Sequence, residues 1–373
     1  MRLHRQRTRG ADLDRVLVVL ASAQRRGAEI QGESLGRRLA AAGYRCEVVA
    51  LTRGRPGPAL DVPVVGTAAL SARTLLALRR RMRGALVIAH GSTTLPAVAL
   101  ASVGTRCLWW YRSIGDPGAW VRGPLHRLRT GLLMRRAARV IALWPGASDQ
   151  ITRLYRVPAD RLTAIPNDRD PADFVPADPS QRKLARESLG ISGPTVLLCG
   201  SLSEEKRPID AVEVIRGLDH AVLLVAGTGP LEPKVRQAAT DASVADRVRL
   251  VGAVDDVPAL LAAADVLLLT SRTEGMPGIV IEALMSGLPI VATDVGSVGS
   301  MLVGEQSARC CPVGDIGAMR RAVAELIDLH PGSSVRAASR SAVEQFSTDR
   351  VFRQWSALVD AAGVEQAPPH TTR

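Results

Sequence analysis

The sequence contains few aromatic residues and few cysteines, and it lacks a long uncharged apolar run. Aromatic side chains account for 3% of the 373 residues, which argues against an extended surface for stacking single-stranded bases. The five cysteines form no C-x-x-C pair and no zinc-binding spacing, so a reduced, cytoplasmic compartment is the simplest interpretation. Because no run of about 18 apolar residues is free of charge, we expect no membrane span.

Positive charge is concentrated in the first half of the chain, within an overall formal charge of +12. Residues 1–170 contain 29 arginines, no lysine and 11 acidic residues, a net charge of +18. The remaining residues carry 19 basic and 25 acidic side chains, a net charge of −6. This asymmetry predicts that the first half presents a surface to an anionic partner.

Two helix-length segments of this basic half combine arginine clusters with leucine and methionine. They are SARTLLALRRRMRG at 71–84 and LHRLRTGLLMRRAARV at 125–140. Such segments can rest apolar side chains at the lipid boundary while arginines meet phosphate headgroups. We therefore predict peripheral binding to an anionic membrane surface, on the inner face of the plasma membrane. The alternative is that both are ordinary helices with leucine and methionine packed inward.

Apolar runs typical of β-strands alternate with helix-length segments along the whole chain. The first series is RVLVVLAS, CEVVAL, ALVIAHG and VIALWPG, and the second is TVLLCGS, VLLVAGTG, VRLVGAV, DVLLLTS, PIVATDV and ARCCPVG. The alternation predicts an α/β protein with two doubly wound, Rossmann-like domains. We expect the domains to face each other across a cleft that receives the carboxyl ends of the strands.

Composition also suggests where the domains begin and end. A Pro- and Asp-rich stretch separates the two series of strand signals, and both chain ends are polar. The predicted parts are a disordered basic leader at 1–14, an N-terminal domain at 15–165, a linker at 166–190, a second domain at 191–345, a helix crossing back to the first domain at 346–363 and a disordered tail at 364–373.

Two glutamates enclose a glycine and proline turn in the segment EGMPGIVIEA. Glu274 and Glu282 are separated by seven residues and follow the strand signal DVLLLTS. Pro277 suits the first turn of a short helix and Gly287 suits its C-terminal cap. The backbone N–H groups of the turn would then lie at a helix N-terminus, which favours a bound anion such as phosphate. A surface turn with two solvated glutamates is the alternative.

Two further turns follow strand signals of the second series. In CGSLSEEKRP, Gly200 turns the chain, and Lys206 and Arg207 precede a helix. A cation at this place can pair with a diphosphate that gains charge as a sugar departs. Gly227 and Gly229 form the second turn, AGTGP. A solvated charge run and an ordinary glycine turn are the structural alternatives.

Together these motifs resemble the retaining glycosyltransferases of the GT-B fold, in particular glycosyltransferase family 4. The resemblance extends from about Leu17 to about Leu358, and the paired glutamates are its most specific element. PNDRD, at 166–170, resembles the linker motif PNGVD, with Asp168 in place of glycine. Aspartate can adopt left-handed backbone conformations, so we expect the turn to persist.

The resemblance implies a role for each matching residue. Glu274 would lie beside the donor sugar, Glu282 would accept hydrogen bonds from the ribose, and Lys206 would neutralise the diphosphate. His90, at the end of ALVIAHG, would lie near the reacting sugar, with a satisfied structural histidine as the alternative. The implied catalytic residues are Glu274, His90 and Lys206. The implied donor-binding residues are Gly27, Gly200, Lys206, Arg207, Gly227, Gly229, Val254, Glu274, Gly275, Met276, Pro277 and Glu282. Arg112 and Asp116 are expected on a loop facing the cleft.

The activity implied by the resemblance is transfer of a sugar from a UDP-sugar or GDP-sugar to an acceptor hydroxyl, with retention of configuration. The acceptor would be a sugar, a small molecule, or a membrane-proximal glycolipid or polysaccharide precursor bound by the first domain. No cofactor or metal is implied, because Lys206 and helix N-termini can stabilise the diphosphate. Two alternatives stay open: a nucleotide-sugar epimerase of the same fold, and a basic protein that binds nucleic acid or a dinucleotide. No G-x-G-x-x-G opens the first helix and no nucleic-acid motif occurs, so we expect no nucleic-acid partner.

Overall fold

The computed structural model describes residues 13–55, 57–121, 123–303, 307–328 and 344–364. The chain divides into two compact units. The first is formed by residues up to Ile165 and from Phe352 onward, and the second is formed by Pro166–Val351. The predicted leader and tail lie outside the described residues, apart from residues 13, 14 and 364.

The first unit is built on a six-stranded parallel sheet. Its strands are β1 (Arg15–Ser22), β2 (Cys46–Thr52), β3 (Ala85–His90), β4 (Trp109–Arg112), β5 (Arg139–Ala142) and β6 (Leu162–Ala164). They are arranged in the order β2-β1-β3-β4-β5-β6. The helices between them are α1 (Gly27–Ala41), α2 (Ala72–Arg81), α3 (Thr94–Ala101), α4 (Pro124–Met134) and α5 (Pro145–Tyr155).

The second unit repeats this architecture. Its strands are β7 (Thr195–Cys199), β8 (Val222–Ala226), β9 (Val248–Gly252), β10 (Val266–Leu269), β11 (Ile290–Thr293) and β12 (Ala308–Cys311), in the order β12-β11-β10-β7-β8-β9. Its helices are α6 (Pro179–Ser188), α7 (Pro208–Arg216), α8 (Glu232–Asp241), α9 (Val257–Ala263), α10 (Gly278–Met285), α11 (Val298–Leu302) and α12 (Ile316–Asp328). The predicted doubly wound α/β fold is confirmed in both units.

The strand order reverses once in each sheet, and this reversal determines where a ligand can bind. In the first sheet, β2 and β3 lie on opposite sides of β1, and in the second sheet, β8 and β10 lie on opposite sides of β7. Helices that leave the sheet in opposite directions open a crevice at the carboxyl ends of the strands beside the reversal. Gly27 follows β1, Gly200 follows β7 and Glu274 follows β10, so the sequence motifs lie at these ends.

Part of the segment that we assign to the linker is helical. Helix α6 begins with a capping box, in which the Asp178 side chain accepts hydrogen bonds from backbone N–H groups and Gln181 reaches back to the Asp178 backbone. Arg182 and Arg186 both pair with Asp265, which immediately precedes β10. These ion pairs fix α6 to the amino edge of the second sheet.

A last helix, α13 (Thr348–Ala361), leads from the second unit into the first. Trp355 on this helix covers the guanidinium of Arg112, with 4.9 Å between the guanidinium carbon and the ring centre. The Tyr44 hydroxyl donates a hydrogen bond to Asp360. The helix is therefore held to the first unit by a cation–π contact and a charged hydrogen bond.

Candidate active site

The two residues with the clearest predicted catalytic roles in the second unit contact each other. Glu274 is buried, and its Oε1 atom accepts hydrogen bonds from Lys206 Nζ at 2.5 Å and from Ser271 Oγ at 2.6 Å. The Thr270 hydroxyl donates to the backbone carbonyl of Lys206 at 2.8 Å, which ties the lysine loop to the end of β10. The structure thus brings an ammonium and a carboxylate together where β7 and β10 end.

Ser271 is a member of this cluster that sequence reasoning missed. Its side chain is fully buried and donates to the carboxylate that Lys206 also binds. The only signal in the sequence is its place as the last residue of the DVLLLTS run. A serine after a strand is too common for that position to predict a functional role.

The second glutamate contacts the PNDRD segment. Glu282 is buried in α10, and its Oε1 atom accepts a hydrogen bond from Arg169 Nε at 2.5 Å. The Asn167 side-chain amide donates to the carbonyl of Met276 at 2.9 Å. A Cβ atom on Gly278 would lie 1.9 Å from the Arg169 guanidinium, so a larger residue here would displace the guanidinium from its present position. PNDRD therefore contacts the candidate site through Asn167 and Arg169.

Two local predictions about these motifs need correction. Helix α10 begins at Gly278, with Pro277 in extended conformation at the N-cap, one residue later than predicted. Gly287 follows the C-cap with a φ of +65°, as expected of a terminating glycine. Asp168 does not adopt the left-handed conformation, because the Thr348 hydroxyl and Asp168 Oδ2, 3.1 Å apart, hold the turn instead.

The three glycines of the β7 and β8 turns differ in their surroundings. Gly200 has a φ of +150° and faces open space, so a ligand can approach its backbone. A Cβ atom on Gly227 would lie 1.9 Å from the Gly200 carbonyl oxygen, and one on Gly229 would lie 2.4 Å from the Leu202 carbonyl oxygen. Gly227 and Gly229 are therefore required for packing of the two turns, whether or not they also contact a ligand.

Two other predicted donor residues are not part of the Lys206 and Glu274 cluster. Arg207 caps α7 with a φ of +48°, and its guanidinium donates two hydrogen bonds to Asp210, at 2.7 and 3.1 Å. This pairing holds Arg207 against its own helix. Val254 is half-buried and lies two residues after β9.

A cysteine lies within electrostatic range of both charged residues. Cys199 ends β7, and its burial together with the nearby Glu282 carboxylate raises the pKa of its thiol to about 12, against the opposing effect of Lys206. The thiol therefore stays protonated at neutral pH.

In the first unit, His90 ends β3 and is 2% exposed. Its ring packs against α1, where a Cβ atom on Gly32 would lie 3.2 Å from the His90 Cγ atom. Burial, together with the nearby charge of Arg112, lowers the pKa of His90 to about 3, against the opposing effect of the Ala28 backbone. His90 is therefore a neutral imidazole at physiological pH.

The remaining predicted residues of the first unit are also located. Gly27 is the first residue of α1, and a Cβ atom there would meet nothing within 4 Å. Asp116 lies on the expected loop, where its carboxylate accepts a hydrogen bond from the backbone of Gly118. The loop prediction is wrong for Arg112, which is the last residue of β4 and is buried beneath Trp355.

Among the residues with described positions, no group of three or more His, Cys, Asp or Glu side chains could hold a metal ion. Within the same residues, no helix has the length and apolar character needed to cross a bilayer.

Comparison with known families identifies the class of protein. Residues 193–328 match the model for Glycosyl transferases group 1, and residues 25–172 match the model for Glycosyltransferase Family 4. The two matches cover most of the chain and include both sets of candidate residues. The chain therefore combines a Glycosyltransferase Family 4 domain with a Glycosyl transferases group 1 domain.

Individual relatives agree with this assignment. The chain is 31% identical over 205 residues to 2-deoxystreptamine N-acetyl-D-glucosaminyltransferase of Streptomyces fradiae, over 52% of this chain and 48% of that protein. It is 26% identical over 309 residues to 2-deoxystreptamine glucosyltransferase of Streptomyces kanamyceticus, over 75% of this chain and 79% of that protein. The match thus spans about half the length of the first relative.

The fold agrees with solved structures. HepE from Anabaena, in complex with UDP-glucose, superimposes with a TM-score of 0.82 at 18% identity, over 93% of this chain and 99% of HepE. WaaG, a glycosyltransferase involved in lipopolysaccharide biosynthesis, gives a TM-score of 0.70 at 17% identity, over 92% of this chain and 99% of WaaG. The GT-B fold predicted from the sequence is confirmed.

Proposed function

We propose that this protein transfers a sugar from a nucleoside-diphosphate sugar to an acceptor hydroxyl, with retention of configuration and without a divalent metal. The pairing of Lys206 with Glu274 at the ends of β7 and β10 carries this proposal, because a cation and a carboxylate at one site can serve the two charges of the reaction. The two family matches support it, and the complex of HepE with UDP-glucose favours UDP over GDP.

The chemistry requires opposite charges to be stabilised as the donor bond breaks. The bond between the anomeric carbon and the diphosphate oxygen breaks, the anomeric carbon becomes positive and the leaving diphosphate gains negative charge. An ammonium carries three N–H donors, so Lys206 can hold Glu274 and a phosphate oxygen at the same time. Glu274 would face the positive sugar, and Lys206 would stabilise the leaving group.

Retention follows if the acceptor attacks from the face that the diphosphate leaves. The acceptor oxygen then bonds to the anomeric carbon, and its proton passes to the departing phosphate oxygen, so no protein base is required. Burial of His90 against Gly32 favours a structural role, and we assign no proton transfer to it. Glu282 would accept hydrogen bonds from the ribose, while the open face of Gly200 would receive the diphosphate.

A product analysis tests this proposal. The protein would be incubated with UDP- and GDP-sugars and an acceptor panel in excess EDTA. We expect NDP release that depends on acceptor, and a product whose NMR coupling constant shows the anomeric configuration of the donor. An inverted product, or loss of activity that added Mg²⁺ restores, would refute the retaining or metal-independent part respectively. Donor consumption without acceptor would instead indicate an epimerase.

We further propose that the acceptor lies at an anionic membrane surface. Helix α4 exposes three leucines at helical spacing, Leu125, Leu128 and Leu132, which are 78%, 56% and 52% exposed. Such spacing places them along one stripe of the helix. No acidic residue occurs between Asp116 and Asp149, so the arginines of this segment have no acidic residue within the same stretch of sequence. Apolar side chains ringed by arginines complement an anionic lipid interface.

A pocket beside α4 is also lined by both arginines and leucines. Three arginines and two leucines contribute to its lining: Arg127, Arg135, Arg156, Leu128 and Leu154. Arg127 and Arg135 donate to backbone carbonyls at the end of α5. Within the described residues no salt bridge involves the three arginines. The pocket therefore offers net positive charge to a phosphate headgroup.

The other basic segment, on α2, differs from α4 because several of its side chains make contacts within the fold. On α2, Leu78 packs inward, Arg79 donates to the carbonyl at the end of α3, and Arg81 pairs with Glu47. Much of the α2 segment therefore stabilises the fold, in agreement with the alternative that it is an ordinary helix with its leucines packed inward. Helix α4 carries the membrane proposal. The relatives named for 2-deoxystreptamine make a soluble small-molecule acceptor the competing outcome.

A further inference from the structure

Glu282 and Arg169 form an ion pair that is built into the candidate donor site. Arg169 Nε donates to Glu282 Oε1 at 2.5 Å, and Arg169 Nη1 donates to the carbonyl of Asp168 at 2.8 Å. The side chains of the arginine and the glutamate are 21% and 10% exposed. Gly278, at the start of α10, leaves the space that the guanidinium occupies. Backbone, helix and charge partner together determine where this guanidinium lies.

The backbone of Arg169 is also fixed from a distant part of the chain. Its N–H donates to the carbonyl of Phe346 at 3.0 Å, and its carbonyl accepts from the N–H of Thr348 at 3.1 Å. Two residues earlier, the Asn167 side-chain amide donates to the carbonyl of Met276. Because both the backbone and the guanidinium of Arg169 are held by hydrogen bonds, the guanidinium cannot move with the Glu282 carboxylate if that carboxylate rotates. The contact therefore constrains Glu282 more than it constrains Arg169.

The chemistry of a carboxylate explains what this constraint achieves. A carboxylate presents two oxygens, and a donor fixed on one of them sets the direction of the other. Pairing two charges out of water contributes little net stability, because the cost of desolvation offsets their attraction. An ion pair in this position is better explained by the geometry that it gives Glu282. Valine, which the PNGVD motif has at this place, could not supply that geometry.

We infer that Arg169 is a positioning residue that directs the Glu282 carboxylate toward the ribose hydroxyls of the donor, and thereby sets the preference for a ribonucleotide over its deoxy analogue. This inference rests on the ribose role proposed for Glu282. Arg169, in the PNDRD segment, would then contribute to selection of the donor. Arg169 does not itself touch the reacting atoms.

The inference is tested by binding measurements with UDP, 2′-deoxy-UDP and 3′-deoxy-UDP, using the guanosine series if the donor screen selects GDP. Calorimetry on the full-length protein would compare wild type with Arg169→Val, Arg169→Lys, Glu282→Gln and the double variant Arg169→Val/Glu282→Gln. We expect wild type to prefer the ribonucleotide over at least one deoxy analogue by about tenfold or more, as a charged hydrogen bond provides. Arg169→Val and Glu282→Gln should each reduce that preference to about threefold or less.

The double variant shows whether the two residues act as one unit. We expect it to lose no more ribose preference than either single variant, because both remove the same interaction. Arg169→Lys keeps the charge without the fixed fork of donors and should restore only part of the preference. This variant also provides the test if Arg169→Val fails to fold.

A matched control separates positioning from general destabilisation. Arg182 forms an ion pair of similar burial with Asp265, at the amino edge of the same sheet. Arg182→Val should lower the thermal midpoint and leave the ribose preference unchanged. If Glu282→Gln keeps the preference, the ribose role of Glu282 is wrong and the inference fails with it. If Glu282→Gln loses the preference and both Arg169 variants keep it, the ribose role stands and the positioning role is wrong.

Discussion

Lys206 Nζ and Ser271 Oγ donate to the same oxygen of Glu274, at 2.5 and 2.6 Å. The lysine reaches Glu274 from the turn after β7, whereas the serine and the glutamate follow β10. Neighbouring parallel strands end at the same edge of a sheet, so two separate motifs meet at one carboxylate. The meeting creates a site whose ammonium is held but partly exposed, at 29%, while its carboxylate is buried.

Replacing Glu274 with glutamine should affect turnover far more than stability. The amide oxygen of glutamine can still accept from Lys206 and Ser271, but the negative charge that would face the sugar is lost. We expect kcat to fall by about 10²- to 10³-fold, as for loss of one preorganised electrostatic group. UDP affinity should change little. Steady-state kinetics, calorimetry and a thermal-shift measurement check the three expectations, and a fully active Glu274→Gln enzyme would contradict the catalytic role.

Removing Lys206 should affect both turnover and folding. Lys206→Ala leaves Glu274 as a buried carboxylate without its cation, so we expect a lower thermal midpoint as well as weaker UDP binding. Adding Glu274→Gln to this variant should recover part of the midpoint but none of the activity. Lys183→Ala is the control, because Lys183 forms an exposed pair with Glu187 and should be neutral. A Lys206→Ala enzyme with wild-type UDP affinity would exclude a diphosphate contact.

Ser271 provides a test of a residue found only in the structure. Ser271→Ala removes one of the hydrogen bonds that orient Glu274 and leaves no large cavity. A hydrogen bond to a charged group contributes about 1.5–3 kcal/mol, so kcat should fall by about tenfold or more. The KM for the donor should stay within about threefold of wild type. A Ser271→Ala enzyme with unchanged kcat would show that Lys206 alone is sufficient to orient Glu274.

Two glycines should respond to substitution in opposite ways. Gly27→Ala places its Cβ atom in open space on the first helical residue, so the midpoint should be unchanged or slightly higher. If ligand approaches this backbone, KM rises by about tenfold. Gly229→Ala should lower the midpoint, because its Cβ atom would meet the Leu202 carbonyl oxygen at 2.4 Å. Thermal shift and kinetics separate these cases, and unchanged kinetics in Gly27→Ala would remove Gly27 from the binding site.

His90 should make the fold sensitive to mild acid. Its pKa is about 3 in the folded chain and about 6.5 in the unfolded chain, so the unfolded chain binds the extra proton between these values. Stability from His90 is therefore complete above pH 6.5 and is lost as pH falls toward 3. The difference in unfolding free energy between wild type and His90→Gln should narrow by about 2 kcal/mol from pH 7 to pH 5. A constant difference would show that His90 titrates normally.

The unfolding free energy of wild type is compared with that of His90→Gln because a second group, Glu29, changes stability with pH in the direction opposite to His90. Burial raises the pKa of Glu29, on α1, so its contribution to stability increases as pH falls. Glu29 is present in both proteins and cancels in the comparison. Denaturant titrations at each pH provide the free energies.

The sequence predicted the fold because its signals were local. Runs such as RVLVVLAS and TVLLC are apolar on both faces, which parallel strands covered by helices require. Strands β4 and β6 were missed, since WWYR and LTA are too short to show a pattern. Strand β4 lies between β3 and β5, β6 lies at the edge of the sheet, and both depend on pairing with a neighbouring strand.

The candidate site was only partly predictable for a physical reason. Turn glycines and the spacing of Glu274 and Glu282 are short-range features. The contact between Arg169 and Glu282 joins residues 113 positions apart, and no spacing rule relates them. Arg207 stays a predicted diphosphate ligand, and the structure adds a pairing of its guanidinium with Asp210 that the motif did not indicate. Which of several possible partners a side chain contacts depends on the packing of the folded chain, and the periodicity of the sequence does not show that packing.

The membrane proposal is tested by co-sedimentation of the protein with lipid vesicles. We expect binding to vesicles that contain anionic lipid, weaker binding as salt rises to a few hundred millimolar, and little binding to neutral vesicles. Changing Leu125, Leu128 and Leu132 together to glutamine should abolish most of the binding without lowering the thermal midpoint, because these side chains are already exposed. Leu184→Gln is the control, since Leu184 is 66% exposed on α6 of the acidic second unit.

Arginine variants show whether the charge acts in the same place as the leucines. Arg129 and Arg136 are exposed on or beside α4, and their replacement by glutamine should weaken vesicle binding by about 1 kcal/mol each, roughly fivefold. Arg80 and Arg83, also exposed but near α2, should matter less if α4 makes the contact. Equal effects at both places would indicate a diffuse charge attraction with no role for the leucine stripe. Equal binding to neutral and anionic vesicles would refute docking and direct the acceptor search to soluble small molecules.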